Sequence, residues 1–180
     1  MRDYNECRCY VDHLVAEHRR LHRIFQHMRA AIVSSVHPGI TPSFAEVARM
    51  LGKLRDELEL HFTDEEEGGC LDEAVPRCPQ LAAELKRIEA EHPELLAEVN
   101  RLIDQVSRLQ PTDQHQLALR KAFDRLYLRL RSHEQAENQL LAEGFGTNMS
   151  SVENDQPALN LHLLFTSSQV AAFDDASQQS

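Results

Sequence analysis

The sequence has few of the residues that interrupt helices. Its 180 residues include 6 Gly and 7 Pro, and most of these cluster around residues 37–39, 68–79, 110–112 and 144–146. The four segments between the clusters are rich in Leu, Ala, Glu, Arg and Gln, which are good helix formers. No segment alternates apolar and polar residues as a strand does. The sequence therefore predicts an all-α protein with four long helices.

Other absences exclude whole classes of protein. No run of about 18 apolar residues is available for a membrane-spanning helix, and the first residues lack the apolar core of a secretory signal. The net charge is −10, from 19 basic against 29 acidic residues, which disfavours nucleic acid and anionic membranes as partners. No glycine-rich phosphate loop and no Ser/His/Asp set is visible. We therefore expect a cytoplasmic protein that is neither a hydrolase nor a nucleotide-binding protein.

The four cysteines do not form a C-x-x-C pair. Cys7 and Cys9 lie in a C-x-C sequence, whereas Cys70 and Cys78 flank a segment that we expect to be a loop. Common zinc sites use different spacings. We expect reduced, unpaired thiols, with a redox or metal-binding role of Cys7 and Cys9 as the alternative.

Ten histidines are the unusual feature of the composition. Each predicted helix carries an apolar stripe with spacings of 3 and 4 residues, the pattern of a four-helix bundle. In every stripe one histidine replaces an aliphatic residue, and each lies about 17 to 20 residues from the loop that joins its helix to the neighbouring one. Because short loops make neighbouring helices antiparallel, an up-down bundle places all four at one level. These histidines are His18, His61, His92 and His133.

Two glutamates extend the pattern. Glu65 follows His61 and Glu137 follows His133 at i+4, so each glutamate lies on the inward stripe of its helix. A lone stripe histidine is more often a core residue than a ligand. Four at one level with two buried carboxylates require a positive charge, because an unpaired buried carboxylate costs several kcal/mol. The sequence therefore predicts a metal centre.

The donor set suits two metal ions better than one. Imidazoles and carboxylates without thiolate favour Fe, Mn or Zn, and six ligands are too many for one tetrahedral zinc. Two ions would each take two histidines and share both glutamates. His22, one turn after His18, is a candidate fifth histidine ligand or a residue that flanks the core; His13 lies on the other flank of the stripe, and His27 is expected to point outward.

The ordered motifs resemble the hemerythrin-like HHE cation-binding domain. The resemblance covers residues 10–143 and rests on His18, His61-x-x-x-Glu65, His92 and His133-x-x-x-Glu137. It implies an antiparallel four-helix bundle with a non-haem di-iron centre of two oxo- or hydroxo-bridged Fe ions, with Zn or Mn as alternatives. Activities in this family include reversible O2 binding, sensing of O2, NO or iron, and repair of damaged iron–sulfur clusters.

The sequence departs from the oxygen-carrying hemerythrins. Those proteins have H-x-x-x-H in the third helix, where this chain has Ile88 and Leu96 around His92, and an acid five residues after the last histidine, where this chain has Glu137 at i+4. The site is therefore more similar to the four-His, two-Glu variants, which include the cluster-repair proteins. Pro93 directly follows His92 and predicts either a kink or a division of the third helix.

These features indicate a binding or sensing module for O2, NO or a similar small ligand more than an enzyme. The alternatives are a di-iron protein of iron–sulfur cluster repair or stress detoxification, and a zinc- or iron-binding bundle without O2 chemistry. We expect a lead-in over residues 1–9, the bundle over 10–143 and a disordered acidic tail over 144–180, whose partner is unidentified. The tail holds four acids and no Lys or Arg.

Two helix starts are visible in the sequence. Ser43 and Glu46 form an S-x-x-E capping box for the second helix, with a second start at Thr41-Pro42 as the alternative. The fourth helix opens at Thr112 or Asp113.

Overall fold

The computed structural model describes residues 4–34, 43–68, 70–110 and 112–146. Five α-helices are formed in these ranges: α1 (Tyr4–Ser34), α2 (Phe44–Gly68), α3 (Cys70–Arg77), α4 (Ala82–Arg108) and α5 (Asp113–Phe145). A single 3₁₀ turn, Pro79–Leu81, joins α3 to α4. No strand occurs within the described ranges. The four long helices α1, α2, α4 and α5 pack together as the expected all-α, antiparallel up-down bundle.

Both helix starts follow the capping chemistry of the sequence. The Glu46 amide donates to Ser43 Oγ at 3.2 Å, and the Ser43 amide donates to Glu46 Oε2 at 2.8 Å. This reciprocal pair satisfies two amides that the first turn of α2 leaves free. At α5 the Thr112 hydroxyl accepts from the His115 amide. The capping box is therefore confirmed, and Thr112 is the N-cap of α5.

The core is divided into two apolar clusters. The larger cluster lies at the ends of the four long helices that are nearest the 34–44 and 108–113 connections. It includes Phe25, Leu51 and Phe123. The smaller one joins α3 to the opposite ends of α1, α4 and α5, and it includes Leu14, Ile88 and Leu140. The layer between the clusters is where the polar residues of the stripes lie.

The segment around Cys70 and Cys78 is not the loop that the sequence predicted. Residues 70–77 form α3, with Pro76 inside its last turn. The Gly and Pro residues on either side obscured it, since such clusters are typical of turns. Ala74 of α3 is fully buried, and it packs so closely on Gly144 of α5 that a Cβ at Gly144 would lie 2.9 Å from Ala74 Cα. Gly144 therefore permits α3 to close this end of the bundle.

Helix α4 runs without interruption through Pro93. The proposed division into two helices is therefore wrong. Pro93 is exposed, so its ring points away from the core. The helix tolerates the missing amide of Pro93 because only one backbone hydrogen bond is removed.

Several sequence predictions fall partly or wholly outside the described residues. The acidic tail from residue 147 lies outside them, and so do the side chains of Cys7, Cys9 and Cys70. Residues 4–9, which the sequence assigned to a lead-in, belong to α1, and α5 extends to Phe145. The division into lead-in, bundle and tail stays a prediction. Among the described helices, none has the length and apolarity needed to cross a bilayer.

Candidate metal centre

The four stripe histidines and two stripe glutamates meet in the layer between the two apolar clusters. Helix α1 supplies His18, α2 supplies His61 and Glu65, α4 supplies His92, and α5 supplies His133 and Glu137. All six are buried, and the exposed fractions of Glu65 and Glu137 are 1% and 0%. Two carboxylates that are shielded from water this completely need a compensating charge.

Glu65 directs its two oxygens to opposite pairs of histidines. Its Oε1 lies 3.3 Å from His61 Nε2 and 3.8 Å from His18 Nε2. Its Oε2 lies 3.4 Å from His92 Nε2. The carboxylate therefore spans the layer from the α1/α2 side to the α4/α5 side.

Glu137 spans the layer in the same way from the other direction. Its Oε1 lies 2.6 Å from His133 Nε2 and 4.0 Å from His92 Nε2. Its Oε2 lies 3.2 Å from His18 Nε2. In consequence the ligand atoms form two groups that share both glutamates: His18, His61, Glu65 and Glu137, and His92, His133, Glu65 and Glu137. Within each group these atoms lie within 4.8 Å of one another.

The atoms that face the centre of the layer lack hydrogen bonds. All four Nε2 atoms and all four carboxylate oxygens of the six residues are buried, and despite the short distances between them none has a hydrogen-bond partner among the described residues. Buried polar groups are normally paired, so eight such atoms in one layer need an explanation. Two cations would satisfy all eight, because neutral imidazole and carboxylate are both metal ligands. The buried His and Glu cluster thus fits a metal site.

Carboxylates outside the cluster hold the opposite ring nitrogens of three histidines. Glu17 Oε2 lies 3.2 Å from His61 Nδ1, Glu66 Oε1 lies 2.8 Å from His92 Nδ1, and Glu91 Oε2 lies 3.1 Å from His133 Nδ1. A carboxylate at Nδ1 fixes the proton there and leaves Nε2 free to bind a metal, with increased basicity. The role of these three residues was not predictable from sequence. Glu17 and Glu91 directly precede His18 and His92, but each contacts the histidine of a neighbouring helix.

An aromatic ring fixes two of the imidazoles. Phe62 stacks on His92 with a centroid distance of 4.2 Å and an interplanar angle of 5°. Phe62 and His133 form a T-shaped pair with a centroid distance of 5.5 Å. Phe62 belongs to the larger apolar cluster. The α4/α5 side of the centre is therefore held by packing as well as by hydrogen bonds.

The electrostatics of the metal-free cluster explain how it tolerates its own charge. Burial lowers the pKa of His18, but the adjacent carboxylates of Glu137 and Glu65 outweigh burial and raise that pKa to about 10. Burial, together with the charge of Glu137, raises the pKa of Glu65 to about 8. The nearby His133 and His18 overcome burial and hold the pKa of Glu137 below its usual range. The raised pKa values favour the protonated forms of His18 and Glu65, and a metal ion bound by these donors would displace those protons.

The other histidines in the described part of the chain lie outside the two groups. His22 Nδ1 lies 3.0 Å from Tyr127 Oη, and its Nε2 lies 3.3 Å from Gln26 Nε2. His13 Nε2 lies 3.4 Å from Glu17 Oε1 near the surface, and His27 is exposed as expected. His115 Nδ1 lies 2.6 Å from the carbonyl of Gln110 at the start of α5.

A buried carboxylate next to the centre was also missed from sequence. Glu134 follows His133 directly and is 6% exposed, although neither group of ligand atoms includes it. Burial raises its pKa to about 7, against the opposing influence of His18. Its place just off the apolar stripe gave no signal, because a glutamate at the edge of a stripe is normally solvated.

One known family matches part of this chain. Residues 9–68 match the family model of the hemerythrin HHE cation-binding domain. The resemblance to this family is thereby confirmed over α1 and α2, a third of the chain, which includes His18, His61 and Glu65. No curated protein and no solved structure compared with the chain gave a significant match.

The family match covers only part of the site that the geometry defines. The matched range ends at residue 68, so His92, His133 and Glu137 are outside it. These three complete the second group of ligand atoms in the structure. The α4/α5 half of the site therefore depends on the bundle geometry and not on the family match.

Proposed function

We propose that this protein is a hemerythrin-like metal protein whose four histidines and two glutamates hold a non-haem di-iron centre that binds or senses O2, NO or a similar small ligand. The observation that carries the proposal is the sharing of both glutamates by two pairs of histidines. Each ion would have two imidazoles and one oxygen from each glutamate. A di-iron centre of this kind supplies reversible binding and redox chemistry toward small diatomic molecules.

The residues of the chain would act by holding and enclosing that centre. His18 and His61 would bind one ion, and His92 and His133 the other. Glu17, Glu66 and Glu91 would keep the Nδ1 protons of three ligands in place. The apolar clusters on both sides of the layer would exclude water. Four protein ligands per ion leave coordination positions open for a small ligand.

The test is anaerobic metal analysis followed by optical spectra before and after exposure to O2 and to NO. We expect about two Fe per chain and an absorption band that changes with each ligand and reverses on its removal. An iron-loaded protein without any spectral response would contradict the binding and sensing function. Zinc in place of iron would favour the bundle without O2 chemistry, whereas restoration of a damaged iron–sulfur enzyme would favour the repair function.

Variants connect the metal to the proposed ligands. His61→Ala with Glu65→Ala should abolish metal binding at the buried centre, because Glu65 belongs to both groups. His27→Ala with Glu67→Ala is the matched control, since both side chains are exposed on the same two helices. Equal metal content in the two double variants would contradict the ligand set.

The cytoplasmic location stays a prediction from sequence.

A further inference from the structure

A second group of metal-ligating side chains lies at the surface beside the buried centre. His13, Glu17 and Asp64 each offer one ligand atom, and these atoms lie within 4.8 Å of one another. His13 and Glu17 are one turn apart on α1, and Asp64 comes from the neighbouring α2. The His13 side chain is 59% exposed and that of Glu17 is 21% exposed, so an ion from solvent can reach both.

Glu17 belongs to both the surface group and the surroundings of the buried centre. Its Oε1 lies 3.4 Å from His13 Nε2, and its Oε2 lies 3.2 Å from His61 Nδ1. Its contact with His61 fixes the orientation of the carboxylate, because His61 is buried. Glu17 is therefore held in place with one oxygen toward the surface group.

The charge of the α2 segment that carries Asp64 favours a cation. Residues 64–67 read Asp-Glu-Glu-Glu, and no Lys or Arg occurs between residues 56 and 76. Asp64 is also close to the C-terminal end of α2, at Gly68, where the helix dipole is negative. Both effects lower the free energy of a positive ion at this end of α2.

We propose that His13, Glu17 and Asp64 form a peripheral site for one divalent first-row transition-metal ion, separate from the buried centre. One imidazole and two carboxylates suit Zn²⁺, Mn²⁺ or Fe²⁺, with water completing the coordination. An ion at Glu17 would draw negative charge away from His61 Nδ1 and make His61 a weaker ligand. The peripheral ion would thus modulate the α1/α2 side of the buried centre; this coupling alone rests on the proposed function.

The test is a calorimetric Zn²⁺ titration of the full chain with its resident metal in place. We expect His13→Gln and Asp64→Asn each to bind one Zn²⁺ fewer per chain than the wild type. His27→Gln and Asp56→Asn are matched controls, because they change exposed residues on the same helices, and should equal the wild type. Equal stoichiometry in all five proteins would mean an adventitious ion only and would overturn the proposal.

A second readout separates this proposal from that for the buried centre. Resident metal and far-UV circular dichroism are measured in every variant before the titration, and both should equal those of the wild type in His13→Gln and Asp64→Asn. The difference of one Zn²⁺ is expected whatever metal the buried centre holds. With iron resident, Zn²⁺ should shift the optical spectrum of the wild type and not that of Asp64→Asn. The same shift in both proteins would overturn the coupling.

Discussion

His133 and Glu137 lie one turn apart on α5, with His133 Nε2 only 2.6 Å from Glu137 Oε1. The same relationship occurs on α2, where His61 Nε2 lies 3.3 Å from Glu65 Oε1. Each glutamate thus contacts the histidine of its own helix with one oxygen and reaches the opposite side of the layer with the other. The two halves of the bundle repeat one arrangement, and both glutamates belong to both halves.

Glu137→Gln should remove metal from both halves. The amide keeps the size of the side chain but has one oxygen where the carboxylate has two, and it carries no charge to compensate a cation. We expect metal content near zero after dialysis, measured by elemental analysis. Glu143→Gln, an exposed glutamate on the same helix, should keep the wild-type content. Retention of one ion per chain in Glu137→Gln that also carries Asp64→Asn would show that the halves bind independently.

Glu66→Gln and Glu91→Gln should weaken metal binding without removing a ligand. Each carboxylate orients a histidine through its Nδ1, and loss of such a contact typically lowers metal affinity about 10- to 100-fold. Competition with a chelator measures the change. Glu67→Gln provides the control, because Glu67 is exposed beside Glu66. If both variants bind metal as tightly as Glu67→Gln, then Glu66 and Glu91 do not orient the histidines.

Gly144→Ala should destabilise the fold, whereas Gly52→Ala should stabilise it. A Cβ at Gly144 would overlap Ala74 of α3, but nothing lies within 4 Å of a Cβ at Gly52. Overpacking costs about 1–3 kcal/mol, and an unobstructed Gly→Ala change in a helix contributes about 0.5–1 kcal/mol. Urea unfolding of both variants measures the two changes. A stabilised Gly144→Ala protein would mean that α3 does not pack against α5 as described.

Glu134→Gln should change how the stability of the metal-free protein depends on pH. Burial raises the pKa of Glu134 from its ordinary 4.5 to about 7. Between these values the folded state binds more protons than the unfolded state, so the wild type loses stability as pH rises, by about 3 kcal/mol in total. The variant has no such titration.

The measurement is the difference in unfolding free energy between Glu134→Gln and the wild type at pH 5 and pH 8. We expect the variant to gain relative to the wild type at pH 8. Glu143→Gln serves as an exposed reference and should show no such gain. A difference that stays constant between the two pH values would contradict a buried, protonated Glu134.

The location of the six central residues was predictable because it follows from helix periodicity and from the distances to the connecting loops. His18, His61, His92 and His133 share one level because their distances from the connecting loops are similar. Glu65 and Glu137 follow from the i+4 spacing. Antiparallel pairing of helices needs only short connections, and the capping residue Ser43 marks its own helix start.

The parts that could not be predicted depend on the rotation and spacing of neighbouring helices. The contact of Glu17 with His61 and that of Glu91 with His133 cross from one helix to another, and sequence spacing does not describe such contacts. Helix α3 was missed because Gly68, Gly69, Pro76 and Pro79 are typical of a loop. Its stability comes from burial of Leu71 and Ala74 in the smaller apolar cluster, which is a tertiary effect.

Each long helix contributes one imidazole to the centre, and this distribution has a consequence for hydrogen exchange. No long helix can unwind at the level of the centre while the other three keep a complete set of donors. With metal bound as proposed, amides near His18, His61, His92 and His133 should therefore exchange through a common opening reaction. Removal of the metal should divide that reaction into separate openings, which would begin where the ends of the helices fray.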